Sequence, residues 1–384
     1  MIYTNAKIFK TPDETISKGF VLVENGVIKQ VGSMENCPNY DECINWDGLE
    51  IYPGFIDAHS HIGMWEDGID FEGSDGNEET DPILPQLRAI DAINPMDNCF
   101  KEAVRAGITT VVTGPGSANP IGGSFVAMKT YGNCIDEMIV KDPVGIKFAL
   151  GENPKNIYNE KEQTPITRMG IVALIREQLE KARRYKMSLE KLKNNNEDLD
   201  EIEFDFKCEA LLSLLDRKTK AFFHCHRADD IYTAIRIAKE FNLDYVLVHA
   251  TEGHLIAKSL KGVNIISGPI ICDRSKPELR NQRTYNTAKL VENNANVAIC
   301  TDHPVIPSQY MLLSCGIAVK NGISKEQAIS SVTKTAAEIC GIYDKVGSIE
   351  VGKLANFVAF RLNEDIFSPF SEPKHVVVDG NIVN

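Results

Sequence analysis

Seven of the eight histidines stand at or just beyond the end of an apolar, strand-like run: His59, His61, His224, His226, His249, His254 and His303. Chance placement does not do that. Asp57-Ala58-His59-Ser60-His61 follows a run that opens at Pro53-Gly54. Side chains two apart on a strand share one face, so both imidazoles can reach one metal ion. His224-Cys225-His226 repeats the spacing after Ala221-Phe222-Phe223, His249 closes Tyr245 to Val248, and Asp302 closes Val297 to Thr301. Neutral imidazoles with a carboxylate form a borderline ligand set that suits zinc, with iron, manganese or nickel as alternatives. One ion or two would bring the chemistry of hydrolysis, lowering the pKa of water to about 7 and polarising a carbonyl. Asp302 is then the natural general base, able to take a proton from the attacking water and deliver it to a leaving nitrogen.

Such a site needs a scaffold that gathers many strand ends at one rim. Eight strand-like runs, most of them followed by helical patterns, supply it: Tyr52 to Ala58, Ile108 to Thr113, Phe125 to Lys129, Val144 to Leu150, Ala221 to Cys225, Tyr245 to His249, Val263 to Ser267 and Val297 to Thr301. That is the text of a (β/α)8 TIM barrel, whose catalytic residues gather at the C-terminal ends of its strands. The third run is the weakest, because Gly122-Gly123 before it reads equally well as loop. Clear helical stretches are Ile171 to Asn194, Asp229 to Phe241 and Lys325 to Cys340, and the charged segment Lys181 to Glu203 reads as a solvated helix end and loop. At both termini the texture changes to short strands. Ile2 to Phe9, Gly19 to Val23 and Val27 to Val31 surround a turn at Asn25-Gly26, and Ala355 to Arg361 and His375 to Val383 carry another at Asp379-Gly380. The expected organisation is residues 1–50 and 346–384 forming one small β-sandwich around a barrel of residues 51–345.

With these residues in place the chain resembles the amidohydrolase superfamily of metal-dependent hydrolases: HxH after strand one, histidines after strands five and six, an aspartate after strand eight. Pro53-Gly54-Phe55-Ile56-Asp57-Ala58-His59, Ala106-Gly107-Ile108-Thr109-Thr110-Val111 and Val346-Gly347-Ser348-Ile349-Glu350-Val351-Gly352-Lys353-Leu354-Ala355-Asn356 extend the likeness over essentially the whole chain. It is most similar to the imidazolonepropionase-like subgroup. The resemblance implies a strand-four ligand, in many members a carboxylated lysine bridging two ions and in some deacetylases a glutamate. Gly145 to Asn153 offers both. Strand parity favours Lys147, while the strand-end position favours Glu152, and both stay open. In related deaminases the strand-five ligand opens a His-x-x-acid pattern, which implies His224 as ligand and His226 as a second ligand or substrate contact. The acidic place is here Arg227, which argues against deamination.

The expected activity is hydrolysis of a carbon–nitrogen bond in a cyclic amide, an N-acyl group or a peptide-like amide. The alternatives are deamination of a nitrogen heterocycle and a barrel that only binds. For substrate contacts the sequence offers His254, Arg168 and the stretch Arg274 to Arg283, with Arg283 able to grip a carboxylate in two-pronged fashion. His303 is expected to cap a helix or line the pocket wall, and His375 to be structural. Thr113 to Gly123 is rich in glycine and offers backbone amides to a ligand, but lacks a nucleotide-binding pattern. Of 384 residues, 41 are basic and 54 acidic, and a formal charge of −13 opposes binding to nucleic acid or anionic membranes. No run approaches the ~18 apolar residues of a membrane span and no leader pattern opens the chain. Ten cysteines are scattered without a CxxC pair. The reading is a cytoplasmic enzyme of small molecules that self-associates, as barrels of this kind commonly do.

Overall fold

The computed structural model describes residues 1–195 and 202–384. Both termini join one sheet. Its N-terminal strands are β1 (Ile2–Thr11), β2 (Glu14–Glu24), β3 (Val27–Ser33), β4 (Cys43–Asn45) and β5 (Leu49–Pro53). Asn25 and Gly26, with φ of 52° and 74°, make the two-residue turn that joins β2 to β3, because positive φ at both positions matches the twist of the flanking strands. The C-terminal strands β14 (Phe357–Arg361), β15 (His375–Val378) and β16 (Asn381–Ile382) attach through β14, which pairs antiparallel with β5. Asp379-Gly380 forms the second tight turn, with φ of 48° and 79°. An aromatic cluster fills this sheet's core: Tyr3 lies 4.5 Å from Trp46 and 5.1 Å from Phe357, and His375 stacks on Trp46 at 5.3 Å.

The second sheet holds eight strands in sequence order: β6 (Phe55–Ser60), β7 (Ile108–Thr113), β8 (Ile121–Lys129), β9 (Ile139–Ala149), β10 (Lys220–Cys225), β11 (Tyr245–His249), β12 (Asn264–Ser267) and β13 (Asn296–Ile299). It nearly closes into a barrel, with the Asp302 amide donating to the His59 carbonyl at 3.2 Å across the seam. Buried Asp57 locks the same seam, accepting from the Thr301 amide at 3.1 Å, from the Thr301 hydroxyl and from the Ser308 hydroxyl at 3.2 Å. Asp57→Ala would strand three buried donors, each costing roughly 1–3 kcal/mol. We expect a loss on the order of 3 kcal/mol, read as a lower urea midpoint.

Three expectations are corrected here. The run Tyr52 to Ala58 is two strands, because Gly54 brings the backbone so near Thr109 that a Cβ would lie 2.1 Å from its hydroxyl, and Tyr52 and Pro53 belong to the terminal sheet. The barrel is not eight repeated βα units: β8 runs antiparallel to both β7 and β9, and Gly122-Gly123 lies within it. Only residues 114–120 separate β7 from β8, too few for the dozen or so that a parallel crossover needs. The segment from Ile83 to Arg88 lies along β8 instead, bridging Ile121 and Ser124. Finally, the helix expected over Lys325 to Cys340 divides into Lys325–Ser331 and Lys334–Cys340, and the break frees the Val332 carbonyl to accept from the Ile56 amide at 2.8 Å. The helices Arg168–Asn195 and Ala228–Glu240 match their expected positions. The charged loop expected up to Glu203 falls partly outside the described residues.

Candidate metal centre

The barrel strands bring six ligand side chains to one rim as two groups. Ligand atoms of His59, His61 and Asp302 lie within 4.8 Å of one another, and so do those of His224, His226 and His249. His249 links them, its ring 5.6 Å from that of His59 and 4.6 Å from that of His224. Asp302 Oδ1 is 3.5 Å from His59 Nε2 and 3.4 Å from His61 Nε2. Two ligands of one tetrahedral ion at about 2.1 Å are separated by roughly that distance. His249 and Asp302 also hold positive φ, 70° and 57°, a backbone cost of order 1–3 kcal/mol that clusters at functional sites.

Neighbours orient the rings. His61 Nδ1 sits 2.6 Å from the Gly114 carbonyl and His249 Nδ1 2.7 Å from that of Gly268, so each donates there and leaves Nε2 with its lone pair for an ion. His226 Nδ1 meets the Thr251 hydroxyl at 2.7 Å and His224 Nδ1 that of Ser117 at 3.0 Å. Burial drives the pKa of His59, His224 and His226 well below the ordinary value and that of His249 down to about 4, so all are neutral ligands at pH 7. Burial pushes the Asp302 carboxyl up, but His249, His61 and Lys147 outweigh it and hold the group below its usual range.

Beneath lies an apolar floor, with the Phe125 ring 5.4 Å from Phe222 and 5.2 Å from His59. Lys147 sits in that layer, fully buried, its ammonium 5.5 Å from the Phe125 ring centre. Burial pushes its pKa down to about 8. Both ring nitrogens of His59, Nζ of Lys147 and Oδ1 of Asp302 are buried without a hydrogen-bond partner. Buried polar atoms are rarely left so. An orphaned donor set of nitrogens and one carboxylate oxygen fits one or two divalent ions.

Glu152 is placed elsewhere. It opens the helix Glu152–Glu160, and its Oε2 accepts from the Glu278 amide at 3.0 Å while Glu278 Oε2 accepts from the Glu152 amide at the same distance. Glu278 is a site residue that sequence reasoning missed. Its buried Oε1 faces His226 Nε2 at 3.5 Å and Lys276 Nζ at 2.8 Å.

A cavity of about 350 Å³ opens over the two groups, lined among others by His61, His224, His226, His249, Asp302 and Arg283. Arg283 bonds only a backbone carbonyl, at 2.8 Å, and has no acidic partner among the described residues. Arg168 faces a separate cleft and is forked onto Asp230 at 2.9–3.1 Å. His254 packs on Tyr285 and has its Nδ1 3.2 Å from the Thr251 carbonyl, away from the cavity wall. His303 likewise turns from the cavity and accepts from the Ser308 amide at 3.3 Å. Arg227 pairs with Asp229 at 2.8 Å on the outside.

Residues 51–383 match the model of the amidohydrolase family. The chain is 39% identical to an amidohydrolase from Thermotoga maritima MSB8, covering 100% of this chain and 99% of that one with a TM-score of 0.94. Amidohydrolase tasK of Hapsidospora irregularis is 26% identical over 99% of this chain, which spans only 42% of that relative's length. An adenosine deaminase from Xanthomonas campestris with bound zinc shares the fold at 15% identity, with a TM-score of 0.54, over 99% of this chain and 92% of that one. A family match over most of its length, with the rim histidines brought together as described, makes this chain a member of the amidohydrolase family.

Proposed function

We propose that the protein hydrolyses a carbon–nitrogen bond, in a cyclic amide, an N-acyl group or a peptide-like amide, with one or two divalent ions at the rim, zinc first among them. The observation that carries this reading is the pair of three-residue ligand groups at the rim, together with the buried, unpartnered amine of Lys147. His59, His61 and Asp302 would hold one ion and His249 with His224 or His226 a second, with Lys147 the bridging ligand after carboxylation. When bound, such an ion polarises the substrate carbonyl and makes hydroxide available at neutral pH. Asp302 holds the proton taken from water and returns it to the leaving nitrogen. Arg283, uncommitted at the cavity wall, orients the substrate through a carboxylate.

The text flanking the metal motifs supports placement with the imidazolonepropionase-like members. All ten cysteines are free, which fits a reducing cytoplasm. Self-association belongs to the same proposal. Among the described residues no helix is long and apolar enough to cross a membrane.

One observation favours a second reading, deamination: Glu278 brings a buried carboxylate to 3.5 Å from His226, supplying the acid that Arg227 does not. Both are tested by the same experiment. Protein grown with added zinc and manganese is expected to carry at least one equivalent of transition metal by elemental analysis, and less than a tenth would sink the site. Against a panel of cyclic amides, N-acyl amino acids, dipeptides and aminated heterocycles, turnover of the first three classes is expected. Turnover of the heterocycles alone, with ammonia released, would transfer the assignment to deamination.

A further inference from the structure

The glycines of Thr113 to Gly123 are expected to admit a ligand, but the close approach they permit is mostly to the protein itself. At Gly116 a Cβ would lie 2.5 Å from Asn77 Oδ1 and 2.9 Å from the Trp65 indole, and at Gly76 only 1.9 Å from the indole. Neither glycine has positive φ, so space rather than backbone conformation demands them. The two are tied together, the Gly116 amide donating to the Gly76 carbonyl at 2.8 Å. They form a slot that holds the indole edge-on to His61 at 5.1 Å while Trp65 still lines the cavity. Pro304 and Val305, from the segment after β13, and Ile270, from that after β12, line the same cavity. Across the closed seam the segment after β13 neighbours the one after β6 that carries Trp65, and β12 pairs with β13, so the apolar residues fall in one sector of the mouth. Val305 is 55% exposed there.

We propose that this sector is a subsite for an apolar group of the substrate, next to the bond that reacts, and that Trp65 is its specificity-determining residue. Contact with His61 sets the adjacency, since His61 belongs to the ligand group that holds Asp302. The identity of the reacting bond rests on the amide reading above; the subsite does not. Covering an exposed aromatic and aliphatic surface with a benzyl group is worth on the order of tenfold or more in affinity over a hydroxymethyl group.

Trp65 and Trp46 are the only tryptophans, so the zinc-loaded full chain carrying Trp46→Phe reports cavity binding by Trp65 fluorescence, with calorimetry on the unsubstituted chain and all variants. The probes are N-acetyl-phenylalanine and N-acetyl-serine. Native protein is expected to bind the phenylalanine compound at least tenfold more tightly. The difference should fall below threefold in Trp65→Ala, persist in Trp65→Phe, and shrink in Gly116→Ala, where the indole remains but its slot is filled. Equal binding of the two probes, binding of neither, or full discrimination retained by Trp65→Ala would each overturn the subsite. Discrimination without hydrolysis of any amide would leave the subsite standing and remove the amide reading; amide hydrolysis without discrimination would do the opposite.

Discussion

Asp302→Asn is expected to separate metal holding from turnover. The substitution keeps the volume of the side chain and an oxygen that can still coordinate weakly, so His59 and His61, 3.5 and 3.4 Å from that position, retain their ion. What it should lose is the proton acceptor proposed above. A positioned general base contributes typically 10²–10⁴-fold, so the chemical step should slow by about a hundredfold or more, at least ~2.7 kcal/mol of barrier. Substrate affinity should change much less, because the loss lies in the transition state and not in uniform binding. Single-turnover kinetics and elemental analysis on the same preparation decide it. Near-normal turnover with metal retained would remove Asp302 from the proton path and leave buried Glu278 as the next carboxylate to test.

The second large effect concerns Lys147. Its amine is buried against Phe125 without a partner, and with its pKa pushed down to about 8 a fraction is neutral at pH 7 and able to take up carbon dioxide. If it bridges two ions, Lys147→Ala should lose about half of the bound metal, and added propionate or bicarbonate should restore part of it by supplying a carboxylate to the vacated space. Glu152→Gln should keep its metal, since that carboxylate is engaged by the Glu278 amide at 3.0 Å. Full occupancy in Lys147→Ala, or loss confined to Glu152→Gln, would move the bridge to Glu152.

The rim histidines were legible because a period of two fixes which side chains share a face, and because two such pairs, with His249 and Asp302, closed apolar runs in one chain. Lys147 against Glu152 was not, since parity and strand-end position point to different residues; only the reciprocal bonds with Glu278 show where Glu152 goes. Glu278 itself lies in a stretch, Arg274 to Arg283, whose arginines point to a substrate carboxylate and not to an acid beside the ligands, and its meeting with His226 joins segments 52 positions apart, about which local text is silent. Arg168 was misplaced for the same reason: Asp230, its partner, is 62 positions away. Strand periodicity carries no direction, so β8 looked like its parallel neighbours. The available signal was length, the seven positions between Thr113 and Ile121 being too few to carry the chain back along the barrel.

That reversal constrains how this scaffold can diversify. Seven strands of the barrel point their C-terminal ends at the site, whereas β8 arrives there by its N-terminal end and leaves at the far rim. An insertion between β8 and β9 therefore grows away from the chemistry and is silent with respect to substrate choice. The turn between β7 and β8 has both ends anchored at the mouth and holds Gly114, whose carbonyl orients His61, together with Gly116 and Ser117 of the cavity wall. Lineages that lengthen the first segment can drift without changing what they process, while those that alter the second must re-form the metal rim at the same time. New specificities in this scaffold should thus arise from the segments after β6, β12 and β13, which border the cavity and, apart from His61, Gly268 and Asp302, neither supply nor orient a ligand.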